Sequence, residues 1–136
     1  MQITHQADYA IRAILFLAQK ESDARVATSD IATAYSIPPS FLTKIISQLS
    51  IAGIIHTSRG ARGGVSLARP ASQISVLDVL EAIDGPITMN QCVNDPSICC
   101  NSKECLIHVF WVETCADFVD RLRNTTFASL LEKRVQ

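Results

Sequence analysis

A change of periodicity between residues 39 and 68 constrains the fold of this chain more than any other feature. After Pro39, apolar side chains recur at helical spacing as far as Leu49, and Gly53 closes the segment. Two short β-prone runs follow, at 54–58 and 65–68. The link between them, Arg59-Gly60-Ala61-Arg62-Gly63-Gly64, is rich in glycine and carries two arginines. The pattern therefore predicts a helix followed at once by a hairpin with a basic tip.

Two further helices are predicted before this segment. Residues 6–19 are helical by period, and a shorter helix is expected to end at Tyr35 with Thr28 or Ser29 as its N-cap. The expected core stripe of the first helix consists of Tyr9, Ala13, Phe16 and Leu17. Three helices and then a basic hairpin, in about this length, is the order of a winged helix-turn-helix.

Two more helical patterns follow the hairpin. One is expected to begin at a Ser75 cap and to stop at Gly85, and a long one covers about 105–123. The long helix has more apolar surface than one intramolecular groove needs, so part of it is expected to contact a second subunit. The predicted fold class is mainly α with a small β-hairpin wing: a winged helix-turn-helix domain plus a long C-terminal dimerisation helix.

Charge is distributed unevenly along the 136 residues, whose net charge is -1. Residues 1–70 hold seven Lys and Arg against four Asp and Glu, whereas residues 71–136 hold five against nine. No acidic residue lies between Asp30 and Asp78. The basic residues in that window are Lys44, Arg59, Arg62 and Arg69. A phosphate-facing surface needs such a window, because nearby carboxylates would repel the polyanion.

The polar face of the third helix and the hairpin tip are the candidate contacts to nucleic acid. An α-helix fits the major groove, and an arginine at the tip of a wing can enter the adjacent minor groove. The predicted DNA-binding residues are Ser40, Thr43, Lys44 and Gln48 on the helix, with Arg59, Gly60, Arg62 and Gly63 at the tip. A homodimer would present two such helices to a palindromic site on double-stranded DNA. The alternative is an ordinary surface helix and hairpin.

Four of the five cysteines lie in one short segment. They are Cys92, Cys99, Cys100 and Cys105, and His108 follows them. In a reducing compartment such a group is more typical of a metal or redox site than of disulfides. Three thiolates and an imidazole can form a zinc site or hold an iron–sulfur cluster, and the spacing favours neither. A thiol switch that uses the adjacent Cys99 and Cys100 is a further alternative. Cys115 is expected to be a small buried residue.

Four motifs occur together and in one order along nearly the whole chain. They are residues 1–4 with Asp8-Tyr9-Ala10, Leu49-Ser50-Ile51-Ala52-Gly53, the wing from Arg59 to Gly64, and Cys105-Leu-Ile-His108. In this combination the chain resembles the IscR/NsrR family of bacterial transcription regulators. The resemblance implies a homodimeric winged-helix regulator, expected to be a repressor, with an iron–sulfur cluster in a loop. Its DNA binding would report on cluster status, iron, oxidants or nitric oxide.

The resemblance also implies the cysteine ligands and a division of the chain. Cys92 and Cys105 match the first and last ligands, and Cys99 is preferred to Cys100 as the middle one because it preserves the second five-residue gap. The expected units are a DNA-binding domain at 1–85, a cluster-binding loop at 86–104, and a dimerisation helix with a C-terminal helical segment at 105–136.

Two residues compete for the fourth ligand position. His108 matches the IscR-type position, which implies a 2Fe-2S cluster. Asp8 matches the NsrR-type position, which implies a 4Fe-4S cluster completed across the dimer. Phe110-Trp111 is also IscR-like, so His108 and 2Fe-2S are preferred. An ion pair with Arg12, four residues later on the same helix, explains Asp8 without a metal.

The remaining expectations concern what the chain lacks. We find no Ser/His/Asp arrangement, paired carboxylates in a plausible cleft or nucleotide fingerprint, so an enzyme with a small-molecule substrate is not predicted. No apolar stretch has the length of a membrane span, and a cytoplasmic protein is expected. The competing function is a winged-helix regulator with structural zinc or a cluster-free cysteine switch.

Overall fold

The computed structural model describes residues 2–21, 24–61, 63–89, 93, 95 and 105–133. In these residues the helices are α1 (His5–Ala18), α2 (Thr28–Tyr35), α3 (Pro39–Ile51), α4 (Val76–Asp84), α5 (Leu106–Asn124) and α6 (Phe127–Glu132). The strands β1 (Ile55–Ser58) and β2 (Gly64–Leu67) form one antiparallel hairpin, and a 3-10 turn spans Ala71–Gln73. This architecture confirms the predicted fold class, a helical winged helix-turn-helix followed by a long helix.

Helix α1 lies at the centre of the domain and contacts α2, α3, α4 and α6. It begins at Thr4, whose Oγ1 accepts a hydrogen bond from the Ala7 amide at 3.1 Å. Its buried residues are Ala7, Ala10, Ala13, Ile14 and Leu17. The predicted core stripe was therefore right for Ala13 and Leu17 and wrong for the two aromatic residues. The stripe is built on alanines, which let neighbouring helices approach closely, while Tyr9 and Phe16 are only partly buried at its edges.

Helix α2 begins earlier than its sequence indicates, so the predicted cap at Thr28 or Ser29 is wrong. The N-cap of α2 is Ala27, and among the described residues no side chain accepts a capping hydrogen bond at this helix start. The reason is a short pairing just before the helix. Val26 and Val65 exchange both main-chain hydrogen bonds, at 2.9 and 2.8 Å. This bridge attaches α2 to the wing and places Thr28 within the first turn.

Helix α3 and the hairpin agree closely with prediction. Pro39 occupies the first turn of α3, where its missing N–H costs nothing. Leu42, Ile45 and Leu49 are buried, and the chain turns out of the helix at Gly53 with a φ of 76°. The hairpin pairs residues 55–58 with residues 64–67. Its inner face places Ile55 and Val65 in the core.

Helices α4 and α6 start side by side, each with a capping box. Ser75 and Asp78 close the box of α4, and Thr126 and Ser129 close that of α6. The two starts also pair through the main chain, as an isolated antiparallel bridge between Ser75 and Thr126. Phe127 then enters the same core as α1 and α4 and is fully buried.

Helix α5 carries a large apolar surface that the described residues do not cover. Only Cys115 is buried along its length, as predicted for that residue. The exposed apolar residues are Leu106, Ile107, Val109, Phe110 and Val112, and Leu106 is 89% exposed. None of the helices in the ranges given above is long and apolar enough to cross a bilayer.

Candidate DNA interface and cysteine segment

The first two turns of α3 present a polar, solvent-facing surface. Ser40, Thr43 and Lys44 are all exposed, as expected for side chains that reach a groove. The Thr43 hydroxyl donates to the Pro39 carbonyl at 3.0 Å. Its donor is therefore occupied within the helix, which leaves its oxygen lone pairs and its methyl group for an external partner.

Gln48 does not lie on this exposed surface, which corrects the predicted helix face. It is half-buried at the boundary between the polar and apolar sides of α3. Its amide Nε2 points towards α4 and donates to the Ile83 carbonyl at 3.5 Å. The Gln48 Oε1 atom is buried and has no hydrogen-bond partner among the described residues.

The hairpin tip is tightly folded and positively charged. Arg59 and Gly60 are exposed, and Gly60 has a φ of 103°, which favours glycine. The Gly63 amide donates to the Gly60 carbonyl at 2.9 Å. A Cβ on Gly63 would lie 2.4 Å from the Ser58 oxygen, so this position needs glycine for space. Arg62, the other predicted tip contact, lies outside the described residues.

Basic groups remain unneutralised on the helix and the tip. In the described part of the chain, Lys44 and Arg59 make no salt bridge with a carboxylate. Arg69, at the opposite end of the hairpin, lies 3.8 Å from Asp78, measured from Nη2 to Oδ2. Of the basic window, Lys44 and Arg59 thus have the exposure and free charge that phosphate contacts require.

One feature of this surface was not anticipated from the sequence. A crevice of about 430 Å³ separates the start of α2 from the wing and is lined by Thr28, Ser29, Thr57 and Ser58, among others. The crevice exists because the pairing of Val26 with Val65 brings these two parts together. The start of α2 has no side-chain cap, but Asp30 in its first turn places a negative charge at this helix start, which opposes phosphate binding there. The only sequence signal was the pair of hydroxyl residues that was interpreted as a cap.

Two of the predicted cluster ligands lie in the described chain, at the start of α5. Cys105 is the N-cap residue, and the amide of His108 donates to its carbonyl at 3.2 Å. His108 is half-buried, and its Nδ1 is enclosed without a hydrogen-bond partner among the described residues. A buried ring nitrogen without a partner is costly unless something else binds it, and histidine is the commonest metal ligand among the side chains. Cys105 and His108 thus fit a metal or cluster site.

The other candidate ligands are placed differently. Asp8 forms a salt bridge with Arg12, with Nε and Oδ2 3.0 Å apart, which confirms the predicted ion pair. Cys92, Cys99 and Cys100 lie outside the described residues. Within the described ranges, no group of three or more His, Cys, Asp or Glu side chains is arranged to hold a metal.

Comparison with known sequences identifies the chain's family. A family model described as Rrf2, iron-dependent transcriptional regulator, matches residues 3–133. Two Mycobacterium tuberculosis proteins, each named as an HTH-type transcriptional regulator, are 44% identical over 87 residues. The match covers 64% of this chain and 54% of each relative, so it spans about half the length of those curated relatives.

Solved structures agree on the fold. CymR of Bacillus subtilis, the global cysteine regulator, has a TM-score of 0.81 at 22% identity and covers 98% of both chains. IscR of T. potens has a TM-score of 0.78 at 22% identity, with 98% of this chain and 88% of that chain covered. The oxidised form of Staphylococcus aureus CymR has a TM-score of 0.74 at 27% identity, over 96% and 95% of the two chains.

These comparisons confirm two predictions. The resemblance to IscR/NsrR regulators is correct at the level of the wider family that includes them. The prediction that the chain is not an enzyme is also confirmed, since the family and the relatives are regulators of transcription that bind DNA. The chain, a helical winged helix-turn-helix with a basic wing and a long terminal helix, belongs to the Rrf2 family of transcriptional regulators.

Proposed function

We propose that the chain is a homodimeric repressor whose binding to palindromic DNA depends on an iron–sulfur cluster, preferably 2Fe-2S. The proposed ligands are Cys92, Cys99, Cys105 and His108. The observation that carries this proposal is the enclosed Nδ1 of His108, one helical turn after Cys105, which has no hydrogen-bond partner in the described part of the chain. This histidine belongs to a chain that matches a family model described as an iron-dependent transcriptional regulator.

The ion pair of Asp8 supports the choice of His108 as fourth ligand. Asp8 already has a cationic partner at 3.0 Å, so ligation through its carboxylate would first require that pair to separate. His108 Nδ1 has no competing partner among the described residues. A 4Fe-4S cluster completed by Asp8 is the second candidate and would show in the iron count. Cys100 is, separately, the alternative to Cys99 as the middle ligand.

Ligation would fix the cysteine segment, at 86–104 in our proposed division of the chain, relative to Cys105 and His108. When bound, the cluster supplies a centre that oxidants, nitric oxide or iron shortage can alter. The chain supplies thiolates and an imidazole, and it loses conformational entropy when these groups are gathered at one point. Cys105 begins α5, so its position is coupled directly to the orientation of that helix.

The exposed surface of α5 supports the dimer. Its five exposed large apolar residues occupy the first two turns of the helix, between positions 106 and 112. Exposed apolar surface of this kind is typical of a subunit interface. Pairing of two copies would place two α3 helices and two wings on one duplex, which matches a palindromic site.

The DNA contacts proposed here are those of α3 and the wing. Ser40, Thr43 and Lys44 would face the major groove. The wing tip, with Arg59, Gly60, Arg62 and Gly63, would contact the minor groove. Gln48, also in the predicted set, is not included, because its amide donates to the Ile83 carbonyl of α4. Exposure and unneutralised charge at Lys44 and Arg59 support this assignment.

Absorption spectroscopy with iron and sulfide analysis tests the proposal on protein purified without oxygen. We expect two irons per chain and several visible bands in the wild type, with both lost in Cys105→Ala and His108→Ala. Cys115→Ala is the matched control, because this cysteine is buried in the middle of α5 and should leave iron unchanged. If the protein contains four irons per chain, and these are retained in His108→Ala but lost in Asp8→Ala, the fourth ligand is Asp8 and not His108. Zinc without colour, or no metal, would refute the cluster and leave a zinc-containing or thiol-based regulator.

A further inference from the structure

The C-terminal end of α4 lacks a donor that helices usually obtain from their own backbone. The last carbonyl groups of a helix have no partner within it, and the residues that follow usually supply N–H donors. Here the Gly85 amide donates to the Glu81 carbonyl at 2.9 Å, but the next residue is Pro86, which has no N–H. Pro86 thus cannot donate to the Ala82 carbonyl, and no main-chain N–H of the described residues donates to the Ile83 carbonyl in the last turn.

Gln48 provides that donor from α3, the helix proposed to read DNA. Its Nε2 lies 3.5 Å from the Ile83 oxygen, at the long limit for a hydrogen bond. The other half of the amide, Oε1, is buried without a partner among the described residues. A half-satisfied buried amide is held weakly, because rotation towards solvent would satisfy both of its ends. The Gln48 amide therefore responds readily to movement of the Ile83 carbonyl, while the direct packing of α3 against α4 persists.

The residues around this bond form a junction between three helices. We call residues 83–87 the junction segment. At its start, Thr4 Oγ1, which also caps α1, donates to the Asp84 carboxylate at 3.0 and 3.1 Å to its two oxygens. At its end, Cys115 Sγ of α5 lies 3.7 Å from the Ile87 carbonyl. The junction segment thus contacts α1, α3 and α5, and its last two residues are the first two of the cysteine segment.

We propose that Gln48 is a positioning residue that couples the junction segment to the recognition helix α3. A change in the cysteine segment or in α5 displaces the Ile83 carbonyl, and Gln48 transmits this displacement to α3. Coupling between two sites is reciprocal, so DNA bound at α3 must in turn stabilise the end of α4. The identity of the signal rests on the proposed function, whereas the coupling between α3 and the end of α4 does not.

Hydrogen exchange measured by mass spectrometry tests the coupling without reference to metal. The probe is a duplex selected by the wild-type protein from a random-sequence library. In the wild type, saturating duplex should slow exchange several-fold at the amides of residues 81–88, because fraying of α4 is suppressed. Gln48→Met keeps the length of the side chain and removes the amide, so this protection should be clearly reduced to what the packing of α3 on α4 transmits, while exchange in α1 is unchanged. Gln73→Met makes the same chemical change at an exposed site and should keep the protection.

The outcomes separate this inference from the proposed function. Wild-type protein that shows no slowing at residues 81–88, or Gln48→Met that retains full slowing at saturating duplex, overturns the coupling. Repeating the exchange measurement after loading the protein with iron and sulfide tests whether the cluster is the signal. If loading slows exchange at residues 81–88, and this slowing also depends on Gln48, the cluster is the signal that reaches α3. A wild type that takes up no iron refutes the proposed function alone, since the duplex arm still decides whether Gln48 couples the two helices.

Discussion

Substitution of Gly63 by alanine tests whether the shape of the wing tip matters for DNA binding. The added Cβ would lie 2.4 Å from the Ser58 oxygen, 2.8 Å from the Arg59 carbonyl carbon and 2.9 Å from the Gly60 oxygen. All three atoms are backbone, so no side-chain rotation can relieve the contact. The tip must open, and the bond from the Gly63 amide to Gly60 is the one most directly strained.

Gly63→Ala should reduce the free energy of DNA binding more than it reduces the free energy of unfolding. Opening an exposed tip removes one hydrogen bond, which is worth about 0.5–1.5 kcal/mol of the free energy of unfolding. The core residues of the hairpin, Ile55 and Val65, are unaffected. Displacement of Arg59 from the minor groove would instead weaken DNA binding by about 1–3 kcal/mol. That loss corresponds to roughly a 5- to 150-fold rise in the dissociation constant.

Fluorescence anisotropy with a labelled duplex, at several salt concentrations, measures the effect. Gly53→Ala is the matched control: its φ of 76° makes alanine strained, but no atom of the described residues lies within 4 Å of the added Cβ. The control should lose stability through backbone strain and keep DNA affinity. If Gly63→Ala binds with the affinity and salt dependence of the wild type, the wing tip does not contact DNA and the reasoning is refuted.

Four further outcomes are expected. Phe127→Ala should lower the free energy of unfolding by about 3–5 kcal/mol in urea denaturation, because the ring is fully buried beside α1; a loss near zero would show that α6 is not part of the core. Ser75→Ala should cost about 1 kcal/mol through loss of the capping box, with Ser72→Ala, at an exposed site, as the neutral control. Lys44→Ala should lower the slope of log affinity against log salt by about one unit, and an unchanged slope would exclude a phosphate contact. Phe110→Glu should shift the protein from dimer to monomer in analytical ultracentrifugation, and a persistent dimer would place the interface elsewhere.

The helices and the wing were predictable from sequence because their signals are local. Pro39 and Gly53 bracket α3, the Ser75 capping box starts α4, and the glycine link defines the hairpin. Each of these features depends on residues only a few positions apart. The predicted helix ends accordingly agree with the structure to within one or two residues.

What the sequence could not show depends on contacts between distant residues. Pairing of Val26 with Val65 decides where α2 begins and creates the crevice beside the wing. The amide of Gln48 points to the Ile83 carbonyl at the end of α4, a contact across 35 positions that no helical periodicity reveals. The enclosed Nδ1 of His108 likewise became visible only once α5 was positioned.

The anchoring of α5 at one end makes the helix behave as a lever. Its 19 residues span about 28 Å at 1.5 Å per residue. The end near Asn124 is held through Phe127 in the core, the middle touches the junction segment at Cys115, and Cys105 stands at the far end. A tilt of about 5° about the anchored end would move Cys105 by about 2.5 Å but the contact at Cys115 by only about half as much. The geometry thus reduces a large displacement among the cysteines to a small adjustment beside the DNA-binding body.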